Sequence, residues 1–304
     1  QIQGTGPGGR IVKADVEAAA ARAKERPAAA PQPEPAAPAP QAAPAEAAPP
    51  QAPAEAPRPS ARPAAPAPQP AGEAGAKGRL SVQELTRLQQ TVSRRMAESK
   101  ATAPDFMLSV EVDMTACVEL RARLKEVSDP APSFNDMVVK ACATALREHP
   151  RVNGAYRDGR WELFSRVNVG IAVAAEDALV VPTIFDADRK SLGQIARDAR
   201  EVIEKVRAGT ITPPELSGGT FTVSNLGMYG IDVFTAIINP PQAAILTVGS
   251  LKKRPVVDDD GRIVARDTMA LTLVCDHRIL YGADGARFLS RVRELLERPL
   301  SLAL

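Results

Sequence analysis

Histidine is scarce in this chain. Only His149 and His277 occur in 304 residues, so any imidazole-driven proton transfer near neutral pH has two candidate carriers. Cysteine is nearly as rare: Cys117, Cys142 and Cys275 are scattered in apolar contexts without metal-ligand spacing, which argues for buried, reduced thiols, a reducing compartment and no metal centre. An excess of charge of either sign is missing too. The 38 basic and 36 acidic residues nearly cancel, so there is no electrostatic reason to expect nucleic acid or a strongly anionic surface as partner. No apolar run approaches the length of a membrane span, and no signal peptide opens the chain. Gln1 is not a natural start, so a fragment is expected.

Aromatics make up only 4% of the chain while prolines number 28, which marks part of it as non-globular. Three regions separate by composition. Residues 1–26 read as a glycine turn and a short alanine-rich helix from Asp15 to Arg26. Residues 27–78 hold more than half of the prolines, mixed with Ala, Gln and Glu and without one aromatic. Such a segment buries too little apolar area to offset its ordering entropy; as a semi-rigid linker it reaches on the order of 150 Å. Residues 79–304 read as globular.

In that region Leu85, Leu88, Val92 and Met96 recur at helical spacing, and Phe106 to Met114 alternates like a strand. Ser133 caps a helix whose apolar face carries Val138, Val139, Cys142 and Leu146. Strands are expected over 167–173, 179–184, 220–224 and 243–248, and a helix over 191–207. Asp259-Asp260-Gly261 is a turn joining two extended runs, the second from Arg262 to Cys275. A last helix covers Asp284 to Glu297. Strands and helices mix without strict alternation, which predicts an α+β layer architecture.

Asp276-His277-Arg278 follows an apolar strand and precedes a glycine-containing turn into that last helix. A strand-to-loop junction is where functional groups collect, yet a structural histidine explains the residue equally well. His149 sits at a helix end, where a cation is favoured and a surface cap is the preferred reading. Ser224, at the end of a strand in Thr222-Val223-Ser224-Asn225-Leu226-Gly227, can donate to an oxyanion or simply form a turn with Asn225. Gly4, Gly6 and Gly9 satisfy a dinucleotide-loop pattern formally, but no strand precedes them. Asn239-Pro240-Pro241-Gln242 is a rigid turn or an apolar knob at a subunit contact.

Several segments together carry a resemblance: Ser93-Arg94-Arg95-Met96, Asn135-Asp136 with Lys140-Ala141, His149-Pro150 with Asn153, Asn168 with Gly170-Ile171-Ala172-Val173, the run from Leu216 to Gly227, Ile238 to Gln242, and Asp276-His277-Arg278. In this order they resemble the catalytic domain of the E2 acyltransferases of 2-oxo acid dehydrogenase complexes. Gly4 to Val16 is similar to the second half of the subunit-binding domain of the same proteins. The resemblance implies a fold like chloramphenicol acetyltransferase, a two-layer domain with a mixed sheet. It also implies homotrimers assembled into a larger core, E1 and E3 components as partners, and a bacterial cytoplasmic setting. Coenzyme A and a lipoyl group are the implied substrates, the latter carried on a lipoyl domain absent from this chain. Neither nucleic acid nor membrane is an implied partner.

By the same resemblance His277 is the general base and Ser224, from a neighbouring subunit, the oxyanion donor. Tyr281, Asp276 and Arg278 are accessory; Gly170, Ile171, Ala172 and Asn225 line a substrate channel; Arg10 and Lys13 contact the partner enzymes. Acetyl is the favoured acyl group over succinyl and branched chains, and a non-catalytic scaffold subunit is the rival reading. Three positions depart from the family pattern. Tyr281 stands where Asp or Asn is usual, Ala178 where glycine is common and Asp105 where histidine is frequent.

Overall fold

The computed structural model describes residues 76, 78–175 and 179–303, all within one unit spanning Ala67–Leu304. The readings on residues 1–26, including Arg10 and Lys13, nearly all of the linker, and Ala178 lie outside the described residues. The chain runs through α1 (Arg87–Thr102), β1 (Asp105–Asp113), α2 (Thr115–Val127) and α3 (Phe134–Glu148), then the hairpin β2 (Gly154–Arg157) and β3 (Arg160–Leu163). Next come β4 (Val169–Ile171), β5 (Val173–Ala174), β6 (Leu179–Val180), β7 (Thr183–Ile184) and α4 (Leu192–Arg207). The last part holds β8 (Phe221–Asn225), β9 (Ala244–Val248), β10 (Lys252–Val257), β11 (Ile263–Asp276) and α5 (Gly282–Glu297).

Local chemistry explains the helix starts. Thr86, Ser133 and Ser191 each accept the backbone N–H three residues on, and the side chains of Gln89, Asp136 and Gln194 return the bond. The Asp258-to-Gly261 turn closes the β10–β11 hairpin, with Gly261 at φ +78°. Two expectations needed correction. The expected strands 167–173 and 179–184 each split in two, so that β4 pairs β7 in the main sheet while β5 pairs β6 apart from it. Pro182 lies at the break and has no N–H for a ladder; its carbonyl accepts from Ile171 instead, at 2.9 Å. Helix α1 begins after Leu85, and Leu88 at the start of its apolar stripe stays 49% exposed while Val92 and Met96 are half-buried.

Among the described residues, seven strands form one mixed sheet in the order β1-β11-β9-β8-β4-β7, with β10 on the far half of β11. β4, β8 and β9 are mutually parallel and the remaining pairs antiparallel. One face packs Phe221, Val223, Leu246, Leu271, Leu273 and Cys275 against residues of α3 and α5 such as Val139, Leu146, Phe288 and Val292, as strand alternation dictates. Gly285 lets α5 close on the sheet, since a Cβ there would meet Leu108 at 3.0 Å and the Cys275 sulfur at 3.1 Å. On the other face, a row of hydroxyls (Ser109, Thr272, Thr247, Ser224) crosses four strands in register. The segment 231–242 lies over part of it: Thr247 Oγ1 donates to the Phe234 carbonyl at 2.8 Å, and Ile238 packs on Ile245 and Val274. The three cysteines are buried free thiols, as expected; burial pushes Cys117 and Cys275 up to about 12 and raises Cys142 as well.

Candidate active site

Strand β11 ends on a clamp. The carboxylate of Asp276, 3% exposed, accepts the Arg278 backbone N–H at 2.9 Å and its guanidinium at 3.0 and 2.7 Å. This bidentate pair reverses the chain within two residues, while the buried Ile279 and Leu280 anchor the loop leading to α5. His277 between them is turned outward. Its N–H makes a last bond to the Pro104 carbonyl at 2.9 Å, and its ring is exposed. Asp276 therefore serves Arg278 and not the imidazole. The pairing with Asp276 raises Arg278 above its ordinary pKa despite some burial. The Arg278 guanidinium stacks 4.6 Å from the Tyr156 ring centroid, and its carbonyl accepts from Trp161 Nε1 at 3.0 Å, so the turn is strapped to the β2–β3 hairpin.

Two rings flank the imidazole. Phe106 lies 4.8 Å away at 58° and Tyr281 5.8 Å away at 61°, centroid to centroid. Tyr281 is the N-cap of α5 and donates its N–H to Asp284 Oδ2 at 3.1 Å; the helix starts two residues earlier than expected. Asp284 also pairs with Arg151. Partial burial pushes the Asp284 carboxyl up, but the Tyr281 N–H and Arg151 outweigh this and hold it below its usual value. Arg151 in turn lies over both Tyr281 (5.4 Å) and Trp161 (5.1 Å).

Ser224 is half-buried near the end of β8. Register aligns it with Thr247 and, one strand further, Thr272. His277 lies five residues beyond Thr272 on β11's line, which puts it about 16 Å along the strand and about 10 Å across, or roughly 19 Å from Ser224. At a spacing of roughly 19 Å the two side chains are not in contact within one protomer.

The other expected site residues have varied surroundings. Gly170 and Ile171 are buried inside the sheet, and a Cβ on Gly170 would meet Val181 Cγ1 at 2.6 Å. Ala172 and Asn225 keep partial exposure, but the Asn225 side chain is engaged by Asn135 at 3.0 Å and the Gly227 N–H at 2.8 Å. His149 caps α3 as expected; however, it is half-buried against the edge of Phe288 at 6.1 Å rather than at the surface. Burial lowers its pKa in spite of Glu148 beside it. Asn153 and Asn168 hold loops through carbonyls of Phe164, Arg166 and Gly218, Gln242 is buried and bonded to Thr222 and Gly219, and Asp105 pairs with Lys100 at 2.7 Å. Sequence reasoning missed Phe106 as a neighbour of His277, and Arg151, Trp161 and Asp284 as residues packed around Tyr281 and the Arg278 turn. Among the described residues no cluster of His, Cys, Asp and Glu could hold a metal, and no helix is long and apolar enough to cross a membrane. A concavity of about 360 Å³ lies between Leu120 and Arg123 of α2 and Pro299-Leu300, and His277 does not line it.

Residues 77–304 match the model of the 2-oxoacid dehydrogenases acyltransferase catalytic domain. The chain belongs to this family. Residues 1–17 match the E3-binding domain. A curated relative, the dihydrolipoyllysine-residue acetyltransferase component of the pyruvate dehydrogenase complex of Zymomonas mobilis, is 35% identical over 99% of this chain and 62% of its own length. The acyltransferase fold is shared with the cubic core of a pyruvate dehydrogenase multienzyme complex, at 31% identity and TM-score 0.73 over 78% of this chain and 99% of that one. The same values hold for Azotobacter vinelandii dihydrolipoamide acetyltransferase, whose structure was used to examine the catalytic roles of a serine, a histidine and an asparagine. The chain spans about three-fifths of the length of its Zymomonas relative and about half that of a Rickettsia bellii one.

Proposed function

We propose that this chain is the catalytic part of an E2 component and moves an acyl group, acetyl favoured, between dihydrolipoyl-lysine and coenzyme A. The observation that carries the reading is His277: an exposed imidazole at a strand end whose backbone turn is held by a part-buried ion pair, in a chain whose family match covers residues 77–304. Both thiols arrive as substrates. His277 removes the proton from the attacking thiol, because the thiolate is the nucleophile and is scarce at neutral pH. The sulfur bonds to the thioester carbonyl carbon, and the carbonyl pair moves onto oxygen. Ser224 of a neighbouring subunit donates a hydrogen bond to that oxyanion; the roughly 19 Å separation within one protomer supports this division. Collapse expels the other sulfur, which takes the proton back from the imidazolium.

The reading divides the chain into a subunit-binding segment (1–26) with Arg10 and Lys13 facing E1 or E3, a linker (27–78) and the acyltransferase domain (79–304). The domain forms trimers within a larger core. The linker then keeps a tethered substrate-carrying domain at high local concentration near many sites. In the Azotobacter protein the named histidine and asparagine are four residues apart, as are His277 and Tyr281. Tyr281 in that place favours a second reading, a scaffold without chemistry. An assay of acetyl transfer from acetyl-CoA to dihydrolipoamide separates the two. The parent chain transfers acetyl, and Ser224→Ala lowers kcat by about 10²- to 10³-fold with assembly unchanged. No transfer by the parent establishes the scaffold; unchanged turnover in Ser224→Ala removes the serine from the scheme.

A further inference from the structure

We propose that Tyr281 is a positioning residue that orients His277 through its aromatic ring, and that Arg151 locks it in place. The proposal rests on His277 being the base. Five side chains touch in succession: Trp161, Arg151, Tyr281, His277 and Phe106, with separations of 5.1, 5.4, 5.8 and 4.8 Å between successive members. Each junction has its own chemistry. The guanidinium sits over two electron-rich ring faces, and the imidazole meets tilted rings on both sides.

One ion pair holds both parts of Tyr281. Asp284 accepts the tyrosine N–H and binds Arg151, and Arg151 covers the tyrosine ring. The ring is thus tied to the first turn of α5 and to the turn before β2. The contacts of the base itself are of another kind: its imidazole lies between the rings of Phe106 and Tyr281. Its rotamer is set by the walls on either side. A short carboxamide at position 281 would bear on its surroundings through hydrogen bonds; the tyrosine here sets an aromatic ring against the imidazole at 61° and carries its hydroxyl a ring's length further out. On this account the family's polar group has been replaced by packing, and the chain retains an oriented base.

Orientation acts on the reacting geometry and little on ground-state binding, so its loss appears in kcat. The test is steady-state acetyl transfer by the assembled chain, with sedimentation and thermal melting run alongside. Tyr281→Ala is expected to lower kcat roughly 10- to 100-fold while KM for coenzyme A moves less than about threefold. Tyr281→Phe, which keeps the ring and drops the hydroxyl, recovers most of that loss. Arg151→Met, which keeps the stem and removes the cation, lowers kcat by about 5- to 10-fold, and Arg151→Lys recovers part of it. Equal losses in Tyr281→Phe and Tyr281→Ala would show that the hydroxyl matters and would overturn the proposal. So would parental kcat in both Tyr281→Ala and Arg151→Met. His277→Ala measured in parallel separates the two levels. If it is inactive while Tyr281→Ala is normal, the positioning role alone fails; if it is active, the base assignment fails and the proposal falls with it.

Discussion

His277→Ala is expected to lower kcat for acetyl transfer by about 10³- to 10⁴-fold. The figure is at the upper end for a lost general base because no second imidazole stands in: the other histidine, His149, is packed on Phe288 at the end of α3. The same change should leave the fold intact. The ring of His277 is exposed, its N–H bond to Pro104 belongs to the backbone, and the adjoining Asp276–Arg278 pair does not use it. Steady-state assay and sedimentation of the assembled variant check both halves. A turnover near that of the parent would contradict the assignment of the base.

The second large effect is on stability. Phe288 is fully buried on the core face of α5. Its ring meets the Phe221 ring at 5.5 Å and 61° and the His149 ring at 6.1 Å and 89°. Phe288→Ala removes that volume where the sheet, α3 and α5 converge, and costs about 3–5 kcal/mol. Equilibrium denaturation measures it. The loss extends to the site, because the first turn of α5 carries Tyr281 as its cap and Asp284, the partner of Arg151. A variant that unfolds at the parental denaturant concentration would mean that α5 is held mainly by other contacts.

Much of this framework was legible in the sequence for local reasons. Ser133 and Ser191 announce their helices because capping is a short-range bond, and Asp259-Asp260-Gly261 announces the β10–β11 hairpin because its turn needs a positive φ at the glycine. The outward position of His277 could be expected from a strand running into a turn. What sequence could not give was held by distant partners. Arg151 looks like an ordinary residue between His149-Pro150 and Asn153 until the fold brings it over Tyr281 and Trp161. Asp276 reads as a natural partner for its neighbouring histidine, yet burial and the reach of a guanidinium commit it to Arg278. Gly170 and Ile171 are assigned to a channel by resemblance alone; their burial in β4, between β8 and β7, is a tertiary fact. The apolar stripe of α1 is read from periodicity, which registers amphipathicity without saying what covers it.

The division of one site between two subunits is the claim on which the rest depends, and co-assembly tests it most directly. His277→Ala and Ser224→Ala chains are co-expressed at equal levels and the mixed assembly is assayed for acetyl transfer. Each variant alone is nearly inactive. In a ring of heterologous contacts with random mixing, about a quarter of the interfaces pair an intact His277 from one chain with an intact Ser224 from the next. The mixture is therefore predicted to regain about a quarter of the parental activity. A mixture no more active than the separate variants would show that these two residues do not meet across the subunit boundary.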